Sequence, residues 1–205
     1  MKNIIIVGPS RSGKSTLAKR INEEFGFFVL STDKLVAIFE NAYPNLDIRL
    51  NWDRDKTTEN LAPFLGHFLG MFSADDGKGL LDYSHGTVKE NHFVLEGAYY
   101  DFEKVENILK LYGIENIKDR FHLIGLVQRE KSADDFYSDF KKFDTEDDWT
   151  YSLSDDELKN VSEEAVSYNE EMYEKLTKYG FDIYDTSKER DKVFAEILER
   201  VKENE

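Results

Sequence analysis

Apolar runs alternate with stretches of helical periodicity along the chain, the pattern of parallel strands joined by crossover helices. Five runs are expected to be strands: residues 2–7 (KNIIIV), 27–30 (FFVL), 92–96 (HFVLE), 121–127 (FHLIGLV) and 181–185 (FDIYD). A helix is expected over 15–25, stopped by Gly26, and Asp101 can cap another that ends near Tyr112-Gly113. Ser154-Asp155-Asp156-Glu157 has capping-box spacing, in which hydroxyl and carboxylate each satisfy an orphan backbone N–H. A long polar helix is therefore expected from there to Lys178, ended by Gly180. The last helix, 189–202, places Val193, Ile197 and Val201 on one face.

Two stretches do not fit simple crossovers. Residues 33–91 are too long for one connection, and the helical spacing of Leu61, Phe64, Leu65, Phe68, Leu69 and Phe72 predicts a small helical lobe within them. Residues 129–153 combine eight acidic and four basic residues with aromatics. Long connections of this kind commonly cover a ligand. At 205 residues the chain suits one core with an inserted lobe and is short for two independent domains, so a single domain over 1–205 is expected.

Charge narrows the partners. Forty-two Asp and Glu against 27 Lys and Arg leave a net charge of −15, and no Lys/Arg run exceeds two residues, Lys141-Lys142 being the clearest. Duplex nucleic acid and anionic membrane surfaces are poor partners for such a chain. The absence of cysteine removes disulfides, thiolate catalysis and thiolate metal sites. No apolar run approaches the ~20 residues of a membrane span. Met1-Lys2-Asn3 leads straight into a strand, so a cytoplasmic location without a signal peptide is expected.

One segment is nonetheless built for anions. Gly8-Pro9-Ser10-Arg11-Ser12-Gly13-Lys14-Ser15 matches G-x-x-x-x-G-K-[ST] at every fixed position, after a predicted strand and at the opening of a predicted helix. Such a loop turns its N–H groups inward around a phosphate, and the helix N-terminus adds positive potential. Gly8, Ser10, Arg11, Ser12, Gly13 and Thr16 are expected to hold the phosphates of ATP, with Lys14 bridging the β- and γ-phosphates and the Ser15 hydroxyl on Mg²⁺.

Two carboxylates follow predicted strands. Asp33 lies at the carboxyl end of the second, where ligands of open α/β sheets bind, and can take a proton from an attacking hydroxyl. Equally, Asp33 or Thr32 can cap the next helix. Glu96 ends the third strand and can orient Mg²⁺ or the nucleophile; the alternative is an exposed strand-end residue beside Gly97.

GPSRSGKST after the first strand, STDKL after the second, VLEGAYY at the third, QRE after the fourth and YDTSKER after the fifth together resemble the P-loop small-molecule kinases, the group of adenylate, shikimate and gluconate kinases. The resemblance implies a three-layer α/β fold, with a parallel five-stranded sheet in the order 2-3-1-4-5. It also implies a substrate lobe after the second strand and a lid, 129–153, after the fourth. The activity implied is ATP-dependent phosphoryl transfer with Mg²⁺ to a small-molecule acceptor, a nucleoside, nucleotide or other metabolite. By the same resemblance Asp33 binds substrate or acts as base, Glu96 takes the Walker B place, Arg129 is a lid arginine on the transferring phosphate, and Ser187, Lys188 and Arg190 hold adenine. The chain departs from the group in having one arginine in an acidic lid and only Arg49 and Arg54 as arginine candidates for a substrate phosphate.

The other candidates weigh less. Phe136, Phe140 and Phe143, spaced i, i+4, i+7, are expected to pack the lid. Tyr99 and Tyr100 can line an acceptor pocket or staple the following helix. His67, His85, His92 and His122 lack metal spacing, and only His85 falls on a loop of the lobe. A nucleotide switch is the competing class, but Asn116-Ile117-Lys118-Asp119 has the wrong spacing for guanine recognition and precedes the fourth strand.

Overall fold

A computed structural model describes residues 2–50, 53–73, 92–146 and 148–203. The elements in chain order are β1 (Asn3–Val7), α1 (Lys14–Phe25), β2 (Phe28–Ser31), α2 (Thr32–Ala42), α3 (Arg54–Ser73), β3 (Phe93–Gly97), α4 (Phe102–Leu109), β4 (Phe121–Val127), α5 (Ala133–Phe143), α6 (Asp155–Lys178), β5 (Asp182–Asp185) and α7 (Arg190–Glu203). All strand pairs are parallel and run β2-β3-β1-β4-β5, the order implied by the resemblance.

Alternation along β1 explains the layers. Ile4 and Ile6 face Leu17 and Ile21 of α1 and Phe194, Ile197 and Val201 of α7. Ile5 and Val7 face the other way, into a core shared with Leu61, Leu65 and Leu69 of α3, Val105 of α4 and Leu176 of α6. A strand buried on both faces reads as a continuous apolar run, as β1 does. The helical pattern expected within 33–91 is α3, and it packs into the sheet's own core.

The helix starts are chemical. Asp101 accepts from Lys104 N at 3.0 Å, and Ser154 and Glu157 form the capping box that their spacing predicts. A second box, Ser132 with Asp135, opens α5. Phe136 and Phe140 of α5 are buried with Leu158 of α6 in a small cluster apart from the main cores. Phe143 departs from the packing expected of it: α5 ends there and the ring is 56% exposed. No helix among the described residues is long and apolar enough to cross a membrane.

Candidate functional site

The loop after β1 closes upon itself. Ser12 Oγ donates to the Pro9 carbonyl at 2.9 Å, and Lys14 Nζ donates to the same oxygen at 2.7 Å. Gly13 has φ 94°, a left-handed backbone that side chains strain, and a Cβ there would lie 2.7 Å from the Phe194 ring. The motif's second glycine is thus required by backbone and packing together. Gly8 and Ser12 are buried, while Ser10 and Thr16 are exposed.

Lys14 is only 8% exposed. Burial lowers its pKa below the ordinary lysine value; the carboxylates of Glu96 and Asp33 oppose that shift and the Arg54 guanidinium adds to it. Four elements therefore bring charge to one point: α1 with Lys14, α2 with Asp33, α3 with Arg54 and β3 with Glu96. Ser15 Oγ donates to Glu96 Oε2 at 3.2 Å, and Glu96 is 4% exposed, so it is not an exposed strand-end residue. Ser31 occupies the cap position of α2, leaving Thr32 and Asp33 inside the first turn rather than at the cap. Asp33 remains exposed.

The strand end is held against α2 by a second glycine. A Cβ on Gly97, φ 154°, would sit 1.7 Å from Thr32 Oγ1. That hydroxyl is buried without a hydrogen-bond partner among the described residues, beside Asp33. On the metal, Mg²⁺ takes hard oxygen ligands and typically keeps water and substrate phosphate with one or two protein groups. Ser15 and Glu96, already in contact, fit that donor set. Among the described residues no three His, Asp or Glu groups cluster as a self-standing metal site.

A cleft of about 460 Å³ lies against the loop, lined by Arg11, Gly13, Lys14, Ser15, Thr16 and Arg190, and across from them by Asp139, Phe143 and Asp148. Arg190 donates to the Arg11 carbonyl at 3.2 Å. Arg11 itself pairs with Asp144, and with Asp148 at 3.2 Å, and lies 5.3 Å over the Phe140 ring. Sequence reasoning missed two supports. Thr186 Oγ1 donates to the Ser12 carbonyl at 2.9 Å, tying the end of β5 to the loop. Gln128 is fully buried; its carboxamide oxygen, in the orientation that satisfies both partners, accepts from Lys131 at 2.8 Å and Arg190 at 3.2 Å.

Several predicted residues lie elsewhere. Alternation beyond β4 turns Arg129 toward α6, where Glu170 takes its guanidinium at 2.8 and 3.0 Å and Tyr173 stacks beneath it at 3.8 Å. Arg129 therefore does not join the loop cleft. Ser187 accepts from Glu130 N at 3.1 Å and Lys188 pairs with Glu130 at 2.8 Å, so of the three residues expected at adenine only Arg190 lines the cleft. Arg49 pairs with Asp47 at the surface, whereas Arg54 lies 4.3 Å over the Tyr168 ring. Tyr100 is buried against Phe102 and Phe181, as a helix staple. His67 contacts the Tyr112 hydroxyl at 2.8 Å, and His92 stacks on Phe27 at 5.3 Å. Burial lowers the pKa of His122, with Asp182 opposing it. His85 lies outside the described residues. Asn116 caps a 3-10 turn ahead of β4, at the amino end of that strand.

No protein-family model and no curated protein sequence matches the chain. Two solved structures align with nearly all of it. The YorR protein of Bacillus subtilis, in complex with phosphorylated GDP, is 14% identical with a TM-score of 0.45, covering 97% of this chain and 95% of that one. A shikimate kinase from Aquifex aeolicus is 17% identical with a TM-score of 0.47, covering 98% and 97%. At such scores neither likeness bears on the reaction.

Proposed function

We propose that the chain is an ATP-dependent kinase that transfers the γ-phosphoryl group, with Mg²⁺, to a small-molecule acceptor: a nucleoside, nucleotide or other metabolite. The meeting of Lys14, Ser15, Glu96 and Asp33 at the carboxyl ends of β1, β3 and β2 carries this reading. Ligands of open α/β sheets bind outside those ends. Phosphoryl transfer asks a protein mainly for positioning and charge neutralisation, which this set of groups can provide.

Each residue has a role within its reach. Lys14 exchanges the Pro9 carbonyl for oxygens of the β- and γ-phosphates, while the loop N–H groups hold the rest of the tail. Ser15 and Glu96 would hold Mg²⁺, which when bound neutralises charge across those phosphates. With Glu96 committed to Ser15, Asp33 is the carboxylate available to orient the acceptor and, for a hydroxyl acceptor, to take its proton. The acceptor oxygen then bonds to the γ-phosphorus, the bond to the bridging oxygen breaks, and ADP leaves. Arg54, stacked on Tyr168, supplies a cation on the acceptor side. Arg190 serves the nucleotide side. ATP as co-substrate suits a cytoplasmic setting.

A screen of nucleosides, nucleotides, sugars and shikimate-like alcohols for ATP consumption with Mg²⁺ tests the reading. A phosphorylated product from at least one acceptor is expected; ATP hydrolysis with no product from any acceptor counts against it. Asp33→Asn should lower turnover ~100-fold with little change in melting temperature, the signature of a lost base rather than a lost structural group.

A further inference from the structure

Resting on the reading that the loop holds a nucleotide's phosphates, we propose that Arg11 is an exchange residue. Its guanidinium ties Asp144 and Asp148 to the loop and passes to the polyphosphate tail when nucleotide enters.

The tie is built rather than incidental. Arg11 holds φ 64°, a backbone region that residues with side chains seldom adopt, and its carbonyl is fixed by Arg190 at 3.2 Å. The backbone is thereby anchored while the side chain reaches across the cleft. Its side chain is 25% exposed, against 5% for Asp144 and 39% for Asp148. Both carboxylates are oriented by their own neighbours. Asp144 accepts from the Thr150 hydroxyl, and Asp148 accepts from Thr145 N at 2.9 Å and Thr145 Oγ1 at 3.1 Å. The Thr145 N–H, with a smaller contribution from Arg11, holds the Asp148 carboxyl below the usual aspartate range.

A phosphate tail cannot enter this cleft as though it were neutral. Arg11 and Asp148 line the same space as Lys14 and Ser15, so the arriving polyanion meets one guanidinium already paired and one carboxylate of its own sign. Carboxylate and phosphate compete for the same planar fork of donors. The tail therefore binds more tightly as the Arg11–Asp148 pair opens, and by linkage the pair opens as the tail binds. Asp139, the other acid lining the cleft, is already neutralised by Lys131, and Asp144 is buried and does not line the cleft, which leaves Asp148 as the acid that meets the tail directly. Trp149 follows Asp148 directly and is 53% exposed, so its indole reports the change.

The chain has two tryptophans, so Trp52→Phe leaves Trp149 as sole reporter. In that background, ATP with Mg²⁺, ADP and inorganic tripolyphosphate are titrated while emission is followed, with calorimetry in parallel. Emission should shift and saturate together with the heat. Asp148→Asn should bind ATP about fivefold more tightly, because a competitor for Arg11 is gone. Arg11→Gln should bind it about tenfold more weakly and show the shifted emission before any ligand is added. A purely structural Asp148 would lower thermal stability without tightening nucleotide. If nucleotide heat is present but Trp149 emission stays constant and Asp148→Asn binds no more tightly, the exchange is refuted and the phosphate site stands. If the unsubstituted chain gives no nucleotide heat, the phosphate site and the exchange fall together.

Discussion

The two walls of the loop cleft are made in different ways. One wall is local: Gly8 to Ser15 fold into a closed turn whose hydroxyl and ammonium groups meet the Pro9 carbonyl within a few residues. The other wall, with Asp139, Phe143 and Asp148, is held by partners far along the chain, Arg11 on Asp144 and Asp148 above all. A backbone-built wall writes itself as consecutive letters in the sequence. A wall built from distant ion pairs leaves no contiguous motif, and at partly exposed positions each such pair is individually weak.

Substitutions on the two walls should therefore differ in kind. Lys14→Ala strikes the local wall and should lower turnover by about 10³-fold, since a preorganised cation at the phosphates cannot be replaced by water. Steady-state kinetics with a responsive acceptor check it. Phe140→Ala strikes the packing under the far wall, where the ring fills a cluster with Phe136 and Leu158. It should cost about 3 kcal/mol of local stability. Hydrogen exchange should show α5 losing protection while β1 and β4 keep theirs; equal loss in the sheet would mean that the two walls share one cooperative unit.

Acid should separate the walls more gently. The carboxyls of Asp135, Asp148, Asp155 and Glu157 lie below their ordinary values, held by Ser132, Thr145, Lys141 and Ser154 respectively. Groups depressed in this way contribute stability that is present above the unfolded-state value and lost as pH falls through the folded one. The far wall should accordingly loosen as pH falls below the ordinary carboxylate range, ahead of the sheet. Trp149 emission against far-ultraviolet circular dichroism over that range checks the order.

The same contrast explains what the sequence revealed. All five strands fall within one residue of their expected bounds, because apolar runs and the Gly26 stop are local signals. The Ser154–Glu157 box is legible for the same reason, whereas the Ser132–Asp135 box of α5 departs from the usual pattern, its N3 acid being the shorter aspartate. Ser15 reaches Glu96 within β3, and the charges of Glu96 and of Asp33 after β2 act on Lys14. Arg129 illustrates the limit: adjacency to β4 gives no direction, and alternation sends it to Glu170 while Gln128 turns toward Arg190 and Lys131. Thr186 carries no local signal, because its role exists only once β5 lies beside β4 and the loop.

Calorimetric titration of ATP with Mg²⁺ into the unsubstituted chain and into Lys14→Ala tests the central claim most directly. Saturable uptake by the former and its loss in the latter are predicted. No uptake by the unsubstituted chain, or equal affinity in both, would contradict the assignment of the β1–α1 loop as a triphosphate site.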